Sequence, residues 1–412
     1  MMTMSGSASS AAADSLTHWK RNQAAVTVAA FIGFTGFTLV MPFLSLYLQD
    51  LGEHSTAAVA IWSGLCLGIT PLVTAFMTPV WARLAVRTGP KLMVERSLVS
   101  FVVIMTLMAW VSHPWQVFAL RFIQGFFAGY GPMAMMLAAE SAPPEHMATA
   151  IGWVQTSQRL GPALGPVLGS ALLALVGIRG TFYASAAVYF LGFLLIVLVF
   201  HEPPRTSRRA AAAAPRAAHW RDVRALPGFV VAVAIVFGLQ LVDRSFGPVL
   251  PLYLSEIGVP DGRVAMLTGV IFTLSAFAAA VGNQVTSWLL ERRSARWFVA
   301  VSALAAALGA AVFAVCSAAA LLLAASIVFG FAMGVATTAV YTDAGHRIDQ
   351  HARAVAFGYL QTAYLIGLAV SPVLAGLVGA RSMRAVFVVD AAGLALLAAL
   401  ANTRMVREAH AA

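Results

Sequence analysis

A chain of 412 residues with 60% hydrophobic and only 10% charged residues falls far below the roughly 25% charge of an ordinary soluble domain, which excludes a water-soluble globule. Its net charge of +10 would suggest a nucleic-acid partner, but the basic residues sit in short loops between long apolar stretches, where they set membrane topology instead. Cys66 and Cys316 lie far apart in apolar segments, leaving no disulfide framework or CxxC metal site, and the nine histidines fall in loops or tails.

In chain order, residues 1–23 come first. Met1 to Ala13 carries no positive charge and no short apolar run with a cleavage site follows, so this reads as a disordered cytoplasmic tail, not a signal peptide. Crossing a hydrocarbon core of roughly 30 Å takes about 20 apolar residues. Twelve stretches qualify, at 24–48, 57–80, 92–111, 115–138, 147–175, 180–200, 228–254, 263–290, 296–315, 319–341, 353–379 and 383–402. Backbone groups in lipid must be satisfied within the segment, so each is expected to be a helix. The fold class is an all-α polytopic membrane protein of twelve transmembrane helices. Residues 201–227, rich in Arg, Pro and Ala, divide it into a six-helix bundle at 24–200, a cytoplasmic linker at 201–227, a second bundle at 228–402 and a cytoplasmic tail at 403–412. The linker's arginines also suit docking on anionic lipid, beside the plain linker reading.

Orientation follows from charge. With the N-terminus inside, nineteen Lys and Arg residues gather on the cytoplasmic side and four, Arg179, Arg263, Arg381 and Arg384, on the other, which places both termini inside. Trp62, Trp81, Trp110, Trp115 and Trp288 stand close to span ends, as interfacial anchors do.

The halves repeat each other. Met41 to Gly52 (MPFLSLYLQDLG) and Gly247 to Gly258 (GPVLPLYLSEIG) align at an offset of 206. The same offset carries Gly152, Gln155, Thr156, Gly161, Pro166, Val167 and Leu168 onto Gly358, Gln361, Thr362, Gly367, Pro372, Val373 and Leu374. Parallel six-helix repeats with a site between them are the architecture of alternating-access transporters. Within the fifth span, Gly161, Gly165 and Gly169 make a bare stripe for close helix packing, and Pro162 and Pro166 are expected to bend it. The eleventh span has Leu368 for Pro162 and Ser371 for Gly165, so the stretch reads as an asymmetric hinge between the halves.

Three motifs in this frame resemble the major facilitator superfamily, within it the twelve-span drug:proton antiporter group. Gly152, Gly161-Pro162 and Gly165 match that group's antiporter motif, with Pro166 in place of its last glycine. Leu120-Arg121-Phe122-Ile123-Gln124-Gly125 with Gly129 matches its arginine-bearing motif in the fourth span. Arg87-Thr88-Gly89-Pro90-Lys91 is similar to its basic loop, but Ala82 replaces the leading glycine and Val86 the aspartate. The resemblance implies two rocking bundles, proton coupling, and a proton or substrate role for Arg121.

The residues themselves support several site readings. Arg121 lies ~9 Å into a helix entered from outside, so its charge faces protein or a wet cavity, with Gln124 one turn on, unless it snorkels back to the interface. Asp243 and Arg244 are adjacent in the seventh span and point about 100° apart. One split sends Asp243 into the cavity as the proton-coupling acid and Arg244 toward Asp390 of the last span; the other makes Asp243 a structural partner of Arg244, Arg121 or Arg159. Arg159, ~18 Å deep in the fifth span, reads equally as a buried inter-half contact or a cavity residue. Glu140 and Asp343 stand at the inner ends of spans four and ten. They face Arg87 or Lys91 and Arg292 or Arg293, as a cytoplasmic gate with Gly89 at its loop or as ordinary solvated pairs. Met133, Met135, Met136, Met333, Phe34, Phe37, Phe246 and Tyr341 suit an adaptable apolar cavity as well as plain core.

No HExxH, GxSxG or Walker loop appears, so the chain is not expected to be an enzyme. The expected function is proton-coupled efflux of small hydrophobic or amphiphilic compounds from the inner membrane, with a proton-coupled importer of sugar or organic acid and a multispan receptor as alternatives. The expected partners are the lipid bilayer, a small-molecule substrate and protons, with no nucleic acid, no metal and no cofactor beyond the proton gradient, and a monomeric state.

Overall fold

The structure, a computed structural model, describes residues 5–53, 55–143, 146–201, 228–289, 295–347 and 350–407. Among them thirteen helices run in order: α1 (Ser5–Val40), α2 (Leu44–Asp50), α3 (Thr56–Thr88), α4 (Pro90–Met108), α5 (Pro114–Phe127), α6 (Tyr130–Ser141), α7 (Met147–Val199), α8 (Phe229–Glu256), α9 (Asp261–Leu289), α10 (Ala295–Val315), α11 (Ala319–Arg347), α12 (Gln350–Gly379) and α13 (Met383–Arg407). Their boundaries have local causes. Ser55 caps α3 by accepting from the Ala58 N–H at 3.4 Å. Gly89, at φ 99°, makes the turn from which Pro90 starts α4. Pro114 opens α5, where the Gln116 side chain accepts from the His113 N–H at 3.1 Å.

These helices are the twelve spans. Pro42 interrupts the first, so α1 passes through a short 3-10 turn, Met41–Phe43, into α2. The continuous α7 holds spans five and six, joined where Gly177 leaves helical geometry at φ 70°, ψ 177°. Ten stretches among the described residues are long and apolar enough to cross a membrane, counting α7 once. The nineteen-residue α4 completes the set despite Lys91, Glu95 and Arg96 in its first two turns.

Two features depart from the sequence-based expectations. The first helix begins at Ser5, inside the stretch expected as a disordered tail; its alanine-rich start is a strong helix former. The fourth span is broken between α5 and α6, because Pro132 has no N–H for the Ala128 carbonyl and clashes with it; Gly129 then takes φ 107°. A Cβ on Gly129 would meet nothing within 4 Å, so this glycine serves the break and packs against no other helix. Helical φ/ψ continues through Pro162 and Pro166, and α7 leaves it at Gly177, between spans five and six. The linker expected over 201–227 lies outside the described residues from 202 onward.

The sequence repeat is also a packing repeat. In the first bundle the Tyr47 hydroxyl donates to the Met108 carbonyl and its ring packs on Phe182 at 4.8 Å. In the second, Tyr253 donates to the Phe313 carbonyl at 2.6 Å and packs on Phe387 at 5.0 Å. All four rings are buried, so each bundle has the same aromatic pin in its core.

The bundles meet through α3 against α12 and α7 against α9. A Cβ on Gly64 would come 2.3 Å from the Pro372 carbonyl oxygen, on Gly68 2.4 Å from that of Ala369, on Gly376 2.4 Å from that of Ala60, and on Gly269 2.6 Å from that of Pro166. Only glycine permits such approach of one helix backbone to another. All of these contacts gather at one end of the molecule, where α3 and α9 begin and α12 ends.

Candidate functional site

The expected site residues separate into a buried cluster and a set of polar groups that no other helix covers. Arg121 belongs to the first. It is fully buried, its Nε donates to the Cys66 carbonyl at 3.2 Å, and its Nη1 donates to Gln124 Oε1 at 2.7 Å. Thr70 Oγ1 donates back to the Arg121 carbonyl at 2.8 Å, and the guanidinium stands 5.6 Å from the Phe37 ring. Gly125 allows this depth, since a Cβ there would lie 2.6 Å from the Thr70 carbonyl oxygen. Neither snorkelling nor an open cavity position describes Arg121: α3, α5 and Phe37 enclose it.

Sequence reasoning missed the two tyrosines beside it. Tyr189 lies close enough to Arg121, and Tyr130 to Tyr189, for their electrostatic fields to interact. Gly33 and Gly36 of α1 make room for these rings, with a Cβ position 2.8 Å from Tyr130 and 3.2 Å from Tyr189. Arg121 Nη2, Gln124 Nε2 and both tyrosine hydroxyls have no hydrogen-bond partner among the described residues. Tyrosines inside apolar spans were the available signal, but nothing local in the sequence ties them to Arg121.

The uncovered set repeats across the bundles. Gln155 and Thr156 of α7 and their repeat partners Gln361 and Thr362 of α12 are all exposed, and each threonine hydroxyl donates to the carbonyl one turn back, Gly152 or Gly358, at 2.9 Å. Beside them, Arg244 Nε stands 3.0 Å from Asp243 Oδ2, with side chains 46% and 30% exposed. Polar groups inside a span require water or protein around them, and no side chain of the other bundle covers these among the described hydrogen bonds.

The expected pair of Arg244 with Asp390 is not formed. Asp390 is buried and takes a hydrogen bond from Ser245 Oγ at 2.6 Å, while Arg244 turns to its neighbour Asp243. Adjacent residues diverge on a helix, but a long guanidinium can curl back to the carboxylate before it, which costs less than reaching through apolar core. The backbone position of Arg159 falls in register with Gln155 and Pro166, and its side chain lies outside the described residues.

The gate residues divide likewise. Lys91 reaches Glu95 at 3.8 Å and donates to the Phe200 carbonyl at 3.0 Å, so this part of the loop is committed to its own bundle. Arg87 is exposed, Glu140 and Asp343 are half-buried, and Arg292 and Arg293 lie outside the described residues. The glycine stripe has another partner than expected. A Cβ on Gly161 would fall 2.8 Å from Thr35 N, on Gly165 1.9 Å from Thr38 Oγ1 and on Gly169 1.9 Å from the Leu39 carbonyl oxygen. All three belong to α1, so the stripe binds the fifth span to the first inside one bundle. A different face of the same helix, at Pro166 and Ser170, touches the other bundle. Gly152 faces open space.

Of the suggested cavity side chains, Met133, Met333 and Phe246 are core; Phe246 packs on Phe313, Phe329 and Phe387 at 4.8–5.2 Å. Phe34, Phe37, Met135, Met136 and Tyr341 stay half-buried.

Residues 26–372 and 244–411 match the model of the Major Facilitator Superfamily. The chain belongs to this superfamily. It is 33% identical over 272 residues to the multidrug resistance protein MdtG of Enterobacter lignolyticus, spanning 65% of this chain and 64% of that one. A Salmonella dublin protein of the same name is 33% identical over 264 residues, covering 64% and 65%. The chain thus spans a little under two thirds of the length of these relatives. Among solved structures, a bacterial homolog of the human lysosomal transporter Spinster, inward-facing and unoccupied, superposes with TM-score 0.80 at 16% identity, over 95% of this chain and 98% of that one. The nucleoside transporter NupG gives 0.73 at 15% identity over 91% and 97%. These two neighbours share the fold, and the superfamily member described here is a multi-pass membrane protein of two six-helix bundles.

Proposed function

We propose that this superfamily member is a secondary transporter that exports small hydrophobic or amphiphilic compounds in exchange for protons, with both termini in the cytoplasm. The observation that carries the reading is the pairing of a closed end with a set of uncovered polar groups. Glycine-to-backbone contacts seal the bundles where α3 and α9 begin, the outer side by the charge count, while Gln155 of α7, Gln361 of α12 and the Asp243–Arg244 pair of α8 stay uncovered. This arrangement suits an inward-facing state of an alternating-access cycle. The uncovered set is the substrate path in this reading, and Arg121 with Gln124 is the buried charge centre next to it. The multidrug name of the relatives supports export over import.

The proposal is tested by susceptibility of a strain lacking the protein, screened over many toxic compounds, followed by everted membrane vesicles with the compounds that register. Expected are greater susceptibility to several unrelated amphiphiles and uptake into everted vesicles that collapses with the pH gradient. Uptake of a sugar or organic acid in right-side-out vesicles, with no change in susceptibility, would overturn it.

A further inference from the structure

The second bundle holds a buried carboxylate in a setting that the first fills with a hydroxyl. Asp390 on α13 is 5% exposed, and its one polar partner among the described residues is Ser245 Oγ at 2.6 Å. The same Ser245 Oγ lies 2.8 Å from the Val242 carbonyl oxygen. In the first bundle, aligned on the Tyr47/Tyr253 and Phe182/Phe387 pins, Ser185 occupies the place of Asp390 and Gly36 that of Val242. There the Ser185 hydroxyl donates directly to the Gly36 carbonyl at 2.7 Å, an arrangement with one fixed proton position.

A serine hydroxyl carries one proton, and here it meets two acceptors. When Asp390 is ionised, Ser245 donates to it. When Asp390 is protonated, the acid donates to Ser245 Oγ and Ser245 donates to the Val242 carbonyl, restoring the donor-to-carbonyl pattern of the first bundle. The two states share the same heavy-atom contacts and differ by one proton on Asp390 and the rotation of the Ser245 hydroxyl. Among the described side chains on α13 and the helices packed against it, no cation pairs with Asp390: Arg244 is paired with Asp243 at 3.0 Å, Arg384 at the start of α13 donates to Ser317 at 3.1 Å, and Arg296 stands at the opposite end of α10 from Phe313, which packs on Phe387. Ser302 on α10 donates to the Phe298 carbonyl of its own helix. An isolated charge in this apolar core is costly, so the neutral acid is a favoured partner state and not a rare one.

We infer that Asp390, through Ser245, is the group that binds and releases the transported proton. A proton from cavity water forms an O–H bond on Asp390 Oδ2 and cancels one negative charge; release returns it to water and restores the charge. Val242, Asp243, Arg244 and Ser245 lie within one turn of α8, so the change of charge at Asp390 falls within about one helical turn of the exposed ion pair. This assignment rests on the proton-exchange reading above, and displaces Asp243, already neutralised by Arg244, as the coupling acid.

Infrared difference spectra of the purified full chain, stepped from alkaline to neutral pH, a range in which exposed carboxylates stay ionised, test it without knowledge of any transported compound. A carboxylic-acid C=O band that grows on acidification and shifts in D2O is expected, lost in Asp390→Asn and in Asp390→Ser, retained in Asp243→Asn, and moved in titration midpoint by Ser245→Ala. Asp390→Ser installs the hydroxyl of the first bundle and is expected to keep the fold if Asp390→Asn does not. A band that survives both Asp390 variants, or an Asp390 band constant across the pH range, would overturn the inference. Failure of gradient-driven uptake in wild-type vesicles would instead sink the antiport reading, a separate result from the spectra.

Discussion

Arg121 concentrates the residue-scale argument. Its guanidinium is buried with two bonds made and Nη2 unpartnered, so the charge is held by carbonyl and amide dipoles without an acid. Arg121→Ala leaves the Gln124 amide without its donor and is expected to reduce transport at least about tenfold while the protein still inserts, measured by uptake against membrane abundance. Arg121→Lys keeps the charge but loses the planar fork that spans Cys66 and Gln124, and is expected to recover only a minor part. Wild-type uptake in Arg121→Ala would remove the residue from the mechanism. At Asp243 and Arg244 the expectation is reciprocal: each single neutral variant impairs transport more than the double variant, because a single change strands one member of the pair.

At the scale of helices, the broken fourth span shows how a membrane helix survives a defect. The carbonyls freed at the break are taken up by neighbours: Arg96 Nη2 donates to Phe127 at 2.9 Å and Ala128 at 3.3 Å, Ser97 Oγ to Phe127 at 3.0 Å, and Trp81 Nε1 to Phe126 at 2.7 Å. Arg96 also stacks on the Trp81 ring at 3.5 Å. Trp81, expected as an interfacial anchor, is therefore a cap. Arg96→Ala is expected to lower stability by about 1–3 kcal/mol, read as an earlier thermal unfolding transition in detergent. The glycine stripe gives a second helix-scale expectation. Gly165→Leu drives a side chain into Thr38 of α1, so it destabilises the first bundle itself by about 1–3 kcal/mol or more, with earlier unfolding, and does not merely stall rocking. An unchanged transition would remove the stripe from the packing.

Across the whole molecule, the close approach of α3 to α12 is the contact that must open if the bundles rock. Cysteines beside it at Leu67 of α3 and Gly247 of α8, where a Cβ on Gly247 would stand 3.4 Å from the Leu67 side chain, are expected, in a background lacking Cys66 and Cys316, to cross-link in the state described here and to stop transport until reduced. The twelve spans and the two-bundle repeat were legible in the sequence because they depend on segment length, hydropathy and residues that recur at fixed spacing. Boundaries set by Gly89 and Pro90 were legible for the same reason. Partner identity was not: whether Arg244 meets Asp243 or Asp390, and whether the Gly161–Gly169 stripe meets α1 or the other bundle, is decided by helix rotation, which a pattern apolar on all sides leaves open. The break after Phe127 had a local signal in Pro132, outweighed by the hydropathy of the surrounding stretch.

The central claim, proton-driven export through a site alternately exposed by two bundles, is tested most directly by the internal pH of everted vesicles. With the lumen acidified, adding a compound identified in the susceptibility screen is expected to alkalinise the lumen as the compound enters, in vesicles carrying the protein but not in vesicles carrying the cross-linked Leu67→Cys/Gly247→Cys form until it is reduced. Entry of the compound with no proton exit, or proton exit undiminished by the cross-link, would contradict the account.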